Sequence, residues 1–169
     1  MEKWPTNPID IIIASIRKNP NAVIADFGCG DAKLAQSVPN TVHSFDLVSR
    51  NELVVAADMA HVPLLNGSVD IAVYSLALMG TNVKECIRES HRVLKKDGVM
   101  KIAEVKSRFE TESIGGLLGF VDIMHDLGFD LKKKVNILLL RQEEPLMMYV
   151  RTIKIKCLCS LILKNQPGN

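Results

Sequence analysis

Residues 22–31 read Ala-Val-Ile-Ala-Asp-Phe-Gly-Cys-Gly-Asp. The first six, at 22–27, form a short apolar run interrupted by one acid, Asp26, and preceded by the breaker Asn19-Pro20-Asn21. A run that is apolar on both faces is what a strand buried within a parallel sheet requires. Gly28 and Gly30 then allow the backbone to turn tightly and leave no Cβ between the main chain and a ligand. Residues 31–38 are a helical stretch closed by Pro39-Asn40. Strand, glycine turn, helix is the opening of a βαβ unit. A dinucleotide fingerprint would place a third glycine at position 33, but Lys33 stands there. Its absence argues against a pyrophosphate cradle.

The rest of the chain extends this unit. Upstream, Asn7 can cap a helix with Pro8 at its first position, and Ile9, Ile12, Ile13 and Ile16 recur at helical spacing, so an amphipathic helix covers about 8–18. Downstream, 42–47 alternates and carries Asp46, a second strand, and 53–57 is a third, ending at Asp58. The near-continuous apolar run 69–78 is a central parallel strand. A helix follows from Asn82 to about Lys95, a turn at Lys96-Asp97-Gly98, and a fifth strand at 99–105. A helix over 113–127 stops at Gly128. Late strands at 129–140 and 146–158 are joined by 141–145, short enough for a hairpin. The expected fold is α/β: three layers around a mostly parallel, Rossmann-like sheet with a C-terminal antiparallel hairpin. At 169 residues the chain fits one domain, with an N-terminal helix over about 1–20, a binding core over 21–130 and terminal strands over 131–169.

Apolar residues make up 47% and charged residues 24%, an ordinary globular balance that argues against a largely disordered chain. Charge is unevenly placed: 13 Lys/Arg against 16 Asp/Glu in 1–129, but 8 against 3 in 130–169. A basic end fits an anionic partner, nucleic acid or membrane surface, or equally a strand edge guarded by lysines. The cysteines, Cys29, Cys86, Cys157 and Cys159, are scattered and lack zinc spacing, so reduced thiols, an intracellular protein and no metal are expected. The N-terminus lacks the basic start and apolar core of a signal peptide. No membrane span is expected, because the most apolar stretch, 146–163, is interrupted by Arg151, Lys154 and Lys156.

Ligands of open α/β sheets lie beyond the carboxyl ends of the strands. Asp46 follows Gly28 by 18 residues and can accept hydrogen bonds from both hydroxyls of a ribose, although a surface or capping aspartate has the same sequence context. Asp58 can accept from an adenine amino group, and Met59 can pack on the purine and offer its N–H. A glycine turn with two such acids forms a nucleoside site with no phosphate anchor. This pattern resembles the S-adenosylmethionine site of class I methyltransferases, as does the run His-Arg-Val-Leu-Lys-Lys-Asp-Gly at 91–98 before strand five.

The resemblance narrows. Lys3-Trp4-Pro5-Thr6-Asn7-Pro8, Ala25-Asp26-Phe27-Gly28-Cys29-Gly30-Asp31, Phe45-Asp46-Leu47, Asp58-Met59-Ala60, Val62-Pro63-Leu64, Leu78-Met79-Gly80-Thr81-Asn82 and Ala103-Glu104-Val105 followed by Ser107-Arg108-Phe109 are similar to the nucleomethylin, or ribosomal RNA-processing protein 8, family. The motifs cover about 3–130; past about Lys134 the sequence departs from the aromatic-rich ending of that family, and the family's histidine contact upstream of the Trp-Pro motif has no counterpart after Met1. The resemblance implies S-adenosylmethionine as cofactor, methylation of adenine N1 in large-subunit ribosomal RNA, and a nucleolar location. It implies cofactor contacts at Gly28, Asp46, Asp58 and Met59, with Gly30 in the same bend and Ser75 at a further contact. Ribosomal RNA is the implied partner, with chromatin or histone-associated proteins as further ones.

Adenine N1 has a free lone pair, so positioning matters more than a base. The turn at 78–82 faces the methyl group in this architecture, and it lacks the Asn/Asp-Pro-Pro-Tyr/Phe motif of exocyclic amino methylation. Asn82, Glu104 and Phe109 are the candidate catalytic residues. Asn82, with Thr81, can hydrogen-bond the base, or instead cap its helix. Glu104 can accept from the adenine amino group, or tie down local backbone. Phe109 can stack on a flipped base, or close the core, while Arg108 can hold a phosphate. His61, His91 and His125 stand singly, and His91 and His125, on helices, read as surface or packing residues; His43 lies on a strand with no visible partner, and Tyr74 and Phe120 read as core. The alternatives are a non-catalytic cofactor-sensing or scaffold module of the same fold in rDNA chromatin silencing, and a protein or small-molecule methyltransferase.

Overall fold

A computed structural model describes residues 7–130, 135–139 and 147–155, with side chains between 7 and 129 other than Lys106. Helix α1 (Pro8–Ile16) starts as its sequence dictates: Asn7 Oδ1 accepts from the Ile9 N–H at 3.2 Å, and Pro8 occupies the first turn. Ile9, Ile12, Ile13 and Ile16 are buried, as their spacing predicts. Strand β1 (Ile24–Phe27) leads through the glycine turn to the short α2 (Lys33–Ser37). Then come β2 (Val42–Asp46), β3 (Val54–Ala56), β4 (Val69–Ser75), α3 (Val83–Val93), β5 (Leu94–Val105), α4 (Gly116–Asp126), β6 (Phe129–Asp130), β7 (Val135–Leu139) and β8 (Met147–Ile155).

The strand order is β3-β2-β1-β4-β5-β8-β6. The first five strands are mutually parallel, and β8 runs antiparallel to β5 and β6, with β7 pairing β8. The connection at 141–145, the basic side chains of 130–169, and Cys157 and Cys159 lie outside the described residues.

Period-two alternation splits the core into two layers. Ile24, Ile71, Val73 and Ala103 point to one face, under Ile12, Ile16 and Leu34. Ala25, Phe27, Ala72, Tyr74, Met100 and Ile102 point to the other, under Ile87, Phe120 and Met124 of α3 and α4. Helices on both faces of a parallel sheet give the expected three layers. Phe27 stacks on Tyr74 with centroids 5.0 Å apart, and the Tyr74 hydroxyl, fully buried, meets the Cys86 carbonyl at 2.9 Å and Ser90 Oγ at 2.7 Å. Tyr74 is therefore core, as its sequence context suggests.

Several element ends differ from the sequence expectation, each for a backbone reason. Strand four stops at Ser75 rather than 78, because Leu76 takes a left-handed φ of 55°. Helix two begins at Lys33, because Ala32 is left-handed at φ 59°. Strand five starts at Leu94, and the anticipated turn persists inside it as Asp97 at φ 63° with a register shift opposite Val69 and Ile71. The fourth helix starts late because Gly115 and Gly116 both have positive φ. Arg92, in the 91–98 run, clamps the chain between β3 and β4 onto α3. It donates to Glu89 at 2.6 and 2.8 Å and to the Leu64 carbonyl at 2.8 Å, while Glu89 Oε1 accepts the Val62 N–H. His91 packs edge-on against Phe129.

Candidate active site

The glycine turn after β1 is fastened to β2. The N–H groups of Gly28 and Cys29 both donate to the Phe45 carbonyl, at 2.8 and 3.0 Å. The Gly30 N–H donates to Asp46 Oδ2 at 2.9 Å. This leaves the second carboxylate oxygen of Asp46 for a ligand. Because β2 and β3 are parallel, with Asp46 opposite Ala56, Asp58 emerges at the same carboxyl edge two residues later. Asp58 Oδ1 accepts the Ala60 N–H at 2.9 Å, a local turn that sets the exit of Met59. Met59 Sδ lies 3.3 Å from the place a Cβ on Gly28 would occupy, and Ala77 Cβ lies 2.5 Å from it. A Cβ on Gly30 would meet nothing within 4 Å. Gly28 is thus a glycine by lack of room, and Gly30 by its φ of 55° and the open crevice beside it. Ser75, half-buried, ends β4 on the same edge. The six residues expected to bind a nucleoside are therefore brought together along the carboxyl ends of β1 to β4.

The electrostatics are acidic. Asp26 is 2% exposed, and burial followed by the charge of Asp46 pushes its carboxyl up to about 7. Cys29 is pushed up to about 12 by burial and by Asp26 and Asp46, so it is a thiol at neutral pH and no nucleophile. A carboxyl whose folded pKa is raised binds its proton more tightly in the native state, so the contribution to stability is greatest below about 4 and is lost as pH rises toward about 7. At about 1.4 kcal/mol per pKa unit this is a few kcal/mol. Asp26→Asn removes that cost without changing shape. The ligand-free variant is expected to melt several degrees above the wild type at pH 8, with the gap shrinking as pH falls through 7 and closing only below about 4, where the unfolded carboxyl is protonated too. A constant gap across pH, read by thermal denaturation, would remove the buried charge as its cause.

The three residues expected to act on the substrate fare differently. Glu104 is fully buried; its Oε1 accepts the Leu78 N–H at 2.9 Å and its Oε2 the Val105 N–H at 3.2 Å, so it ties down local backbone and fixes the turn after β4, which corrects the expectation that it accepts from an adenine amino group. Phe109 is 1% exposed and packs on Phe120 with centroids 4.5 Å apart. Its ring faces are taken up by the core, which corrects the base-stacking expectation. Asn82 precedes α3 and is exposed, and its side chain makes no capping bond; its carbonyl accepts the Cys86 N–H at 3.1 Å. The capping alternative is thereby corrected; the side chain is exposed, with its Oδ1 2.7 Å from the place a Cβ on Gly80 would occupy. Sequence reading gave no part to Asp26, Ala77 or Leu76. Asp26 carried a signal, an acid inside an otherwise apolar strand; the other two carried none. Among the described residues no cluster of His, Cys, Asp or Glu could hold a metal ion, and no described helix is long and apolar enough to cross a membrane.

A 3-2-1-4-5 parallel sheet with a glycine turn after β1 and acids after β2 and β3 is the Rossmann-like architecture of class I methyltransferases. Solved structures agree on the fold: a Burkholderia thailandensis 1,6-didemethyltoxoflavin-N1-methyltransferase superposes with a TM-score of 0.69 at 16% identity, over 89% of this chain and 79% of that one. A Thermotoga maritima S-adenosylmethionine-dependent methyltransferase gives 0.68 at 16% identity, over 89% of this chain and 90% of that one. The chain belongs to the methyltransferase family whose profile, described as "Hypothetical methyltransferase", matches residues 1–161. It is 50% identical over 132 residues to mouse ribosomal RNA-processing protein 8, covering 75% of this chain and 29% of that protein. The Arabidopsis thaliana protein of the same name is 50% identical over 131 residues, 76% of this chain and 46% of that one. The Schizosaccharomyces pombe 25S rRNA (adenine(645)-N(1))-methyltransferase is 45% identical over 145 residues, 78% of this chain and 45% of that one. The chain thus spans less than half the length of these relatives.

Proposed function

We propose that this chain is an S-adenosylmethionine-dependent methyltransferase domain acting on N1 of an adenine in large-subunit ribosomal RNA, in the nucleolus. The observation that carries the cofactor is the 2.9 Å bond from the Gly30 N–H to Asp46, which ties the glycine turn and the ribose-binding acid into one crevice. The 45% identity to an enzyme named for adenine N1 supports the target. The residues fit the group: Asp46 keeps one oxygen for the ribose hydroxyls, Asp58 one for the adenine amino group, and Met59 and Ala77 wall the space above Gly28. Gly30 and Ser75 border the same crevice. The buried Asp26 and nearby Asp46 give this edge a negative potential suited to a ligand bearing ammonium and sulfonium charges.

When bound, the cofactor supplies a sulfonium-activated methyl group. The protein's part is then to orient and desolvate. Adenine N1 carries its lone pair ready for attack, and the product keeps the positive charge on the base, so no proton has to be removed. Glu104 accordingly holds the Leu78 N–H and shapes the turn at 78–82, and Asn82 at its end can hydrogen-bond the base. Orientation of this kind supplies on the order of 7–11 kcal/mol when the reacting atoms are well aligned. The test is to titrate the chain with S-adenosylmethionine by calorimetry, then incubate it with unmodified large-subunit ribosomal RNA and map the methylated atom. Saturable heat and an N1 mark are expected. Heat without any mark would make the chain a cofactor-sensing scaffold, and a mark on another atom would overturn the target.

A further inference from the structure

Beside the nucleoside crevice, a cavity of about 470 Å³ opens between the turn after β4 and the residues after β5, lined by Leu78, Thr81, Lys84, Ser107, Arg108 and Ile114 among others. Arg108 is held from behind. The fully buried Glu104 places its Oε2 3.6 Å from Arg108 Nε, a charge pairing too long for a hydrogen bond, and that nitrogen has no other partner among the described residues. A carboxylate with no exposure needs a compensating charge, and this guanidinium provides it. The Arg108 side chain is one-third exposed, and its two terminal nitrogens make no hydrogen bond to the described residues. The Glu104 pairing lies at the Nε end of the guanidinium, and the edge carrying the two terminal nitrogens, with two parallel donors, is left without a hydrogen-bond partner among the described residues on a side chain that lines the cavity.

That edge selects its ligand. Two parallel donors match two oxygens of a phosphate. They do not match adenine, whose edges set an acceptor beside the N6 donor. In a site that takes adenine, this arginine therefore reads the backbone and not the base. We propose that Arg108, oriented by Glu104, clamps the phosphate flanking the target nucleotide and thereby seats the base against the turn at 78–82; Lys84 and Glu85 on the same lining offset each other in charge, which leaves the attraction to Arg108. The proposal rests on the RNA reading above, and it assigns Arg108 as a positioning residue.

The test is the binding of an adenine-containing single-stranded oligoribonucleotide to the whole chain, in S-adenosylhomocysteine, across a series of KCl concentrations. Loss of one phosphate contact lowers the slope of log K against log salt by about 0.7. Arg108→Ala should show that loss and bind roughly tenfold more weakly, with unchanged affinity for S-adenosylhomocysteine. Arg108→Lys should keep the slope, because it keeps the charge, while raising KM more than it lowers kcat. An unchanged slope in Arg108→Ala, or a lysine variant that loses the slope as well, would overturn the clamp; so would absence of RNA binding by the wild type. A slope change without an N1 mark would leave the clamp standing and remove only the adenine target.

Discussion

Gly28→Ala is expected to abolish measurable cofactor binding and to destabilise the fold by about 2–5 kcal/mol. Two costs add. The residue sits at φ 71°, where an L side chain costs about 1–2 kcal/mol. Its new Cβ would stand 2.5 Å from Ala77 Cβ, well inside contact distance. Overpacking of this kind costs typically about 1–3 kcal/mol when neighbours can shift. Here they are tied. Ala77 follows Leu76, whose own φ is 55°, and precedes Leu78, whose N–H is fixed to buried Glu104. The Gly28 side cannot yield either, since its N–H and that of Cys29 share the Phe45 carbonyl. Met59 Sδ, 3.3 Å away, can give a few tenths of an ångström, but its movement leaves the Ala77 clash in place and disturbs the residue expected to pack on a purine. Gly30→Ala is the control. It meets no atom within 4 Å and carries only the left-handed cost. Urea denaturation with calorimetric titration should rank Gly28→Ala far below Gly30→Ala in stability, and equal losses would refute the steric account.

Those residues also mark what can be read from a sequence. The β1 turn was legible because its signals are local: an apolar run, then glycines. Asp46 and Asp58 were legible because parallel strands of similar length put their ends on one edge. Leu76 and Ala32 were not, because a left-handed conformation in residues without glycine or asparagine character is imposed by tertiary packing and leaves no compositional trace. The same cause hid Ala77, which matters only through its approach to Gly28. Phe109 and Glu104 were ambiguous for another reason. An aromatic ring or an acid after a strand has the same sequence signature whether it points into the site or under it. Only the 4.5 Å packing of Phe109 on Phe120, and the Leu78 N–H on Glu104, decide between these.

Asp46→Asn should separate function from stability by moving them in opposite directions. The amide keeps an oxygen for the Gly30 N–H, now bonded at 2.9 Å to Asp46 Oδ2, but its nitrogen cannot accept from a ribose hydroxyl. Losing one hydrogen bond to a charged acceptor costs about 1.5–3 kcal/mol, or roughly 10- to 150-fold in affinity for S-adenosylhomocysteine. The ligand-free protein responds the other way. The charge of Asp46 is the second cause, after burial, of the raised Asp26 carboxyl. With that charge gone, Asp26 ionises at less cost, so the variant should melt above the wild type at pH 8 and converge with it where Asp26 is protonated in both, near pH 5. Asp46 would then be a residue kept at the expense of the empty fold because its charge serves the ligand. Asp46→Ala, which also orphans the Gly30 N–H, should lose affinity further and forfeit the stability gain. If Asp46→Asn instead melts lower than the wild type at every pH and binds the cofactor equally well, Asp46 is a strut for the glycine turn, and the ribose assignment goes with it.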